Sequence, residues 1–159
     1  MPEIQQKMKI EFWKPELSED FKNLNLQWLE EFFWVEEHDR EVLGNPEKHI
    51  IAPGGNILFV MEEEEAVACV ALMKISEGIF ELTKMAVKPA LRGKKIGNRL
   101  LEETINFSKK QNWDELIIYS NTKLENAIHL YRKFGFIEIP MEQNGPYSRG
   151  NIKMRLNLS

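Results

Sequence analysis

Between Met8 and Trp13 charged and apolar side chains alternate, Lys9 and Glu11 against Ile10 and Phe12, the period of two that marks a half-buried strand. The period then lengthens. Phe21, Leu24, Trp28 and Phe32 recur at steps of three and four after Ser18, which places them on one stripe of a helix with Ser18 as its expected N-cap. A shorter helix is expected over His38–Leu43, with Gly44 as the residue after its end and Pro46 just beyond. Three apolar runs follow: Ile57–Met61, Ala66–Ile75 and Ile79–Val87. The acidic stretch Glu62–Glu65, a solvated turn, and Ser76-Glu77-Gly78 part them, so antiparallel hairpins are the economical pairing.

After Pro89 the rhythm becomes helical again. A basic, glycine-containing loop runs from Lys88 to Gly97, and Ile96, Leu100, Leu101, Thr104 and Ile105 keep helical spacing as far as Asn112. Leu116–Tyr119 reads as a strand, Leu124–Phe134 as a helix closed by Gly135, and Phe136–Ile139 and Asn151–Leu158 as the last strands. Antiparallel strands followed by strand, helix, strand, helix and strand predict an α/β fold of the mixed α+β kind. Its central sheet is mixed, mostly antiparallel, and flanked by helices.

Composition narrows the class. The 159 residues suit one domain spanning 1–159, and 43% apolar with 10% aromatic residues supply one core. No linker, internal repeat or low-complexity segment divides the chain. A formal charge of -4, from 21 basic and 25 acidic residues, gives no global attraction to nucleic acid or to an anionic membrane. Cys69, the single cysteine, lies in an apolar run and reads as a small buried hydrophobe of a reducing compartment. The start, MPEIQQK, lacks the apolar core of a signal peptide, and no apolar run approaches the roughly 18–20 residues of a membrane span, so a cytoplasmic location is expected.

Candidate chemistry concentrates in Arg92-Gly93-Lys94-Lys95-Ile96-Gly97, where a strand gives way to a helix and backbone N–H groups with the helix dipole can converge on a phosphate. No acidic residue occurs from Lys88 to Leu101. A solvated basic loop explains the hexapeptide equally well. The spacings of a P-loop and of a dinucleotide fingerprint are both absent. His38, His49 and His129 have no ligand-like spacing, so no metal is expected, and no nucleophile motif calls for a covalent intermediate.

In this loop the chain resembles the GNAT N-acetyltransferase superfamily, whose acyl-CoA signature reads Q/R-x-x-G-x-G/A before a long helix. Arg92 and Gly97 match, while Lys95 stands where the family usually has glycine. If that position needs a positive φ, lysine costs about 1 kcal/mol there; if it needs only an N–H, lysine supplies it. Glu81-Leu82-Thr83-Lys84-Met85-Ala86-Val87 looks like the family's preceding strand, and Asn126-Ala127 with Leu130-Tyr131-Arg132-Lys133-Phe134-Gly135-Phe136 like its later helix and turn.

The resemblance implies a GNAT-like acyl-CoA N-acyltransferase fold and acetyl-CoA as co-substrate. It implies a cofactor site at Met85, Ala86, Val87, Arg92, Gly93, Lys94, Lys95, Ile96, Gly97 and Asn98, with Asn126 on the pantetheine arm. It also implies Glu81 as general base, where a strand-edge glutamate in solvent is the plainer reading, and Tyr131 as the proton donor to the departing thiolate, where packing alone is the plainer reading. The expected activity is acetyl transfer to a primary amine by direct attack in a ternary complex. Lys84, Tyr147 and Arg149, joined by Asn121, would bind a small amino-acid-like acceptor, whereas the acidic Glu36, Glu37 and Asp39 would suit a polyamine or lysine side chain. Trp28, Phe32, Phe33 and Trp34 read mainly as core, with one or two free to wall a pocket. The partners expected are a small-molecule amine and no membrane or nucleic acid, and a homodimer is compatible with the sequence. A non-catalytic acyl-CoA sensor of the same fold is the alternative, and a nucleic-acid module using Lys88–Arg99 a third.

Overall fold

The computed structural model describes residues 8–143 and 145–159. The MPEIQQK start, expected to hold no signal peptide, lies outside the described residues. Seven strands form one sheet: β1 (Met8–Phe12), β2 (Asn56–Glu62), β3 (Glu65–Ser76), β4 (Ile79–Val87), β5 (Glu115–Ser120), β6 (Ile137–Ile139) and β7 (Ile152–Asn157). Their order is β1-β2-β3-β4-β5-β7-β6, antiparallel at every pairing except β4 with β5.

Alternation along β2 and β3 builds two cores. Leu58, Val60, Val70 and Leu72 face one layer, which α3 (Ile96–Lys110) and α4 (Glu125–Lys133) cover with Leu100, Leu101, Ile105 and Ile128. Ile57, Phe59, Cys69 and Ala71 face the other, covered by α1 (Ser18–Phe32) and α2 (Glu37–Gly44) through Phe21, Leu24, Leu29, Val42 and Leu43. Of the helical stripes predicted from spacing, that of α3 is buried throughout, whereas in α1 Phe21 and Leu24 are buried and Trp28 and Phe32 only half-buried. Among the described residues no helix is long and apolar enough to cross a membrane.

Some ends fall elsewhere. Ser18 is the first helical residue of α1, not its N-cap, because a 3₁₀ turn at Pro15–Leu17 runs directly into the helix. Glu36 and Asp39 form a reciprocal capping box that starts α2 one residue before His38, and Gly44 is its last residue instead of the one beyond. Pro46 then opens a π turn over Glu47–Ile51 that the sequence did not announce.

The feature that positions the site is a defect in the sheet. β4 and β5 pair only at Ile79↔Glu115, Phe80↔Leu116 and Glu81↔Ile117. Beyond Glu81, β4 carries one extra residue against β3, since Ala71 pairs with Thr83 but Cys69 with Ala86, and Lys84 takes φ 57° in that bulge. The two parallel strands part there, leaving a groove at their C-terminal ends.

Candidate active site

The groove has a volume of about 830 Å³. Met85, Ala86 and Val87 wall it on the β4 side, Ile118 and Tyr119 on the β5 side, and the start of α3 closes one end. Beneath the bulge the buried Cys69 Sγ lies 3.6 Å from the Lys84 carbonyl and accepts from Asn25 Nδ2 at 3.3 Å. Burial pushes the Cys69 thiol up to about 12, against the opposing hydrogen bonds, so it stays an uncharged support.

The end at α3 is built largely from backbone. The first α-helical bond of the turn runs from Arg99 N–H to the Lys95 carbonyl, so the N–H groups of Ile96, Gly97 and Asn98 precede the helical ladder. Lys95 sits at φ 63° as the N-cap and Gly93 at φ 82°, so the lysine does occupy a left-handed position. A Cβ at Gly97 would meet Met85 Cε at 3.6 Å and Leu130 Cδ2 at 3.9 Å, ordinary contacts that leave the open side as the reason for glycine. Arg92 lines the groove but is not a free cation. Its Nη1 meets both Glu31 carboxylate oxygens at 2.7 and 2.8 Å, its Nε donates to the Val87 carbonyl, and its guanidinium lies 5.0 Å from the Phe32 ring centroid. Arg92 Nη2 is buried without a partner among the described residues. Gly93, Lys95, Ile96, Gly97, Asn98 and Asn126 also line the groove, whereas Lys94 points away into solvent and is not part of its wall. Tyr131 lines it at mid-length, its ring packed 6.0 Å from Phe136 and its phenol pushed up to about 12 by burial.

The opposite end is built from charged side chains. Glu81 is 8% exposed, which raises its carboxyl, and the opposing pull of Tyr147, Lys84 and Thr83 does not cancel that burial. It does not line the groove: Tyr147 stands in front of it, donating from Oη to Glu81 Oε2 at 2.8 Å with Thr83 Oγ1 3.4 Å away. Burial, then the neighbouring Glu81, push the Tyr147 phenol up, so it holds its proton.

Lys84 and Arg149, expected as free cations for an acceptor carboxylate, are both engaged. Lys84 Nζ meets Asp39 Oδ1 at 3.2 Å, with side chains 4% and 0% exposed. Arg149 grips Asp39 through Nη2–Oδ1 at 2.8 Å and Nη1–Oδ2 at 2.9 Å, and Nη1 also meets Glu36 Oε2 at 2.7 Å. Glu36 and Asp39 of the acidic stretch after α1, and Lys84 of β4 with Arg149 near the C-terminus, two competing signals in the sequence, are therefore the two sides of one ion cluster. Burial alone would raise Asp39, yet the Arg149 hydrogen bonds, the Glu36 N–H and Lys84 hold it below the usual carboxylate range. Asn121 lines the groove and donates to the Arg149 carbonyl at 2.7 Å, tying the β5 end to the loop that carries Tyr147. Trp28, Phe32 and Phe33 also wall the groove, Phe32 against Arg92, while Trp34 stays 54% exposed. Asp39 and Glu31 were missed as partners, and only the pairing of acid and base across 110 and 61 residues could have found them.

Comparison with known proteins gives concordant findings. The profile of the family described as "Acetyltransferase (GNAT) domain" matches residues 53–138. An uncharacterized N-acetyltransferase of Schizosaccharomyces pombe is 31% identical over 150 residues, covering 91% of each chain. Among solved structures, a GNAT-family acetyltransferase from Staphylococcus aureus superposes with a TM-score of 0.84 at 23% identity, covering 96% of this chain and 99% of that one. An acetyltransferase from Salmonella typhimurium solved with its cofactor acetyl-CoA superposes at 0.74 with 16% identity, covering 96% and 95%.

Proposed function

The chain belongs to the GNAT acetyltransferase family, and from that premise we propose that it moves an acetyl group from acetyl-CoA to a primary amine inside the β4–β5 groove. The observation that carries this reading is one continuous groove with an anion cradle at one end and a buried carboxylate–phenol pair at the other. The cradle fits the cofactor: Arg92 Nη2 is a buried donor without a partner, and the first N–H groups of α3 converge beside Gly97. Ile96, Gly97 and Asn98 would hold a diphosphate with Lys95 above them, and Met85–Val87 with Asn126 would border the pantetheine arm. Bound there, acetyl-CoA supplies the thioester whose acyl carbon the amine attacks.

The chain's own residues then divide the proton work. An amine with a pKa near ~10.4 is almost wholly protonated at neutral pH and needs a base before it can attack. Tyr147 Oη takes the amine proton as it passes its own to Glu81 Oε2, so Glu81 acts as base through the phenol that screens it. At the middle of the groove Tyr131 Oη holds the proton that a departing thiolate needs, and burial keeps it there at neutral pH.

The acceptor class follows from the ion cluster. Lys84 and Arg149 are balanced by Asp39 and Glu36, and Glu81 adds a further carboxylate, so the mouth favours an amine without an adjacent carboxylate: an amide, a polyamine or a lysine side chain. The amino-acid-like acceptor keeps one observation in its favour: Glu36, 23% exposed, is the more displaceable partner of Arg149. Measuring CoA release from acetyl-CoA against amino acids, their amides and polyamines tests both levels. We expect release only when an amine is present, with higher kcat/KM for amides and polyamines. Superior amino acids would restore the carboxylate clamp, and amine-independent or absent release would overturn the activity.

A further inference from the structure

We propose that Asp39, which lies one layer behind the groove-lining Lys84 and Arg149 and touches neither substrate, is the positioning residue that aligns Tyr147 on Glu81. This rests on the acetyl-transfer reading above and deepens it. Asp39 is fully buried and uses both oxygens: Oδ1 holds Lys84 Nζ and Arg149 Nη2, while Oδ2 holds Arg149 Nη1 and the Glu36 N–H at 2.9 Å. One carboxylate thus joins three parts of the chain: the first turn of α2, the bulge of β4, and the loop after Glu142 that returns to β7.

Both cations it holds lie over the same ring. Lys84 Nζ lies 5.0 Å from the Tyr147 ring centroid and Arg149 Cζ 5.2 Å from it, close enough for each to attract the ring face. Arg149 is also only two residues along the loop from Tyr147, so fixing the guanidinium fixes the backbone that delivers the phenol. Without a carboxylate between them, Lys84 and Arg149 would repel one another, and the buried ammonium would lose its closest counter-charge. The ring would then lose the two cations that hold it, and the 2.8 Å bond from its Oη to Glu81 would loosen. A misplacement of about 1 Å in a catalytic group costs on the order of a hundredfold in rate.

This role separates from mere folding. In Asp39→Asn we expect kcat with the best amine to fall by about tenfold to a hundredfold, while the KM for acetyl-CoA stays within about twofold, because the cradle at α3 is untouched. The double variant Asp39→Asn/Lys84→Met removes the uncompensated ammonium, so it should recover thermal stability without recovering kcat. Unchanged kcat in folded Asp39→Asn, or kcat restored together with stability in the double variant, would overturn the positioning role. Amine-dependent CoA release by the unaltered protein is the control that separates the two ideas: its absence overturns the acetyl-transfer reading, and its presence with undiminished Asp39→Asn turnover overturns Asp39 alone.

Discussion

The two ends of the groove solve different problems with different materials. The end at α3 is made of backbone: a bulged strand edge, two left-handed residues at positions 93 and 95, and the unladdered N–H groups of a helix start. The end at Glu81 is made of side chains, a buried carboxylate, a phenol and an ion cluster drawn from α2, β4 and the loop before β7. A backbone cradle needs only local conformation and tolerates side-chain change, Lys95 being the example. A side-chain cluster depends on groups far apart in the chain, and each member is exposed to the loss of any other.

Changes in the groove can break this comparison or sharpen it. Among residues that line the groove, the largest effect belongs to Tyr131, between the two ends. Tyr131→Phe keeps the packing against Phe136 and removes the proposed proton donor, so kcat should fall by about a hundredfold with little change in CoA affinity, as stopped assays and calorimetry would show. A parallel loss of stability and activity would reduce Tyr131 to a core aromatic.

Next comes Gly97→Val, which attacks the backbone end alone. Acetyl-CoA at roughly a hundred times its dissociation constant should stabilise the unaltered protein by about 2.7 kcal/mol, or about 5–10 °C in a thermal melt for a chain of this size. An added Cβ there meets only the flexible ends of Met85 and Leu130 at ordinary contact distance, so the variant should fold yet lose that shift. An undiminished shift would remove the α3 start from the account. The smallest effect is Lys95→Gly. Relieving a non-glycine residue at φ 63° should raise stability by about 1 kcal/mol, roughly 2–4 °C, with CoA affinity nearly unchanged. A large loss of affinity would mean that the Lys95 ammonium matters as well as its N–H.

The same contrast explains how much could be read in the sequence. Helical stripes such as Phe21/Leu24/Trp28 and alternation such as Ile57–Met61 carry their own periodicity, so the elements and their faces were legible. The cradle was legible too, as a basic loop between strand and helix that resembled a known signature. Glu81, Lys84, Tyr147 and Arg149 were legible as residues, and the last three as one group, but not as members of an ion cluster closed by Asp39 and Glu36. Asp39 sits in an acidic stretch that looks like a solvated loop, and nothing local reveals that it is fully buried beneath two cations from β4 and the loop before β7. Nor does the sequence reveal that Tyr147 screens Glu81, since that order in space depends on the loop crossing the mouth of the groove.

Protonation carries opposite signs within this one cluster. Asp39, held low, contributes stability at pH values above its unfolded pKa that is lost as pH falls through its folded value. Glu81, held high, contributes stability below its unfolded pKa that is lost as pH rises through its folded value, the range in which it would become the proposed base. Activity and stability should therefore diverge as Glu81 ionises.

The most direct measurement is the pH dependence of kcat/KM for amine-dependent CoA release, in the unaltered protein and in Glu81→Gln. The account predicts an acid limb above the ordinary glutamate value of 4.5 in the unaltered protein, and in Glu81→Gln the loss of that limb with a fall in rate of about 10²–10⁴. A profile that keeps its acid limb and its height in Glu81→Gln would contradict the assignment of the base and, with it, the chemistry assigned to the side-chain end of the groove.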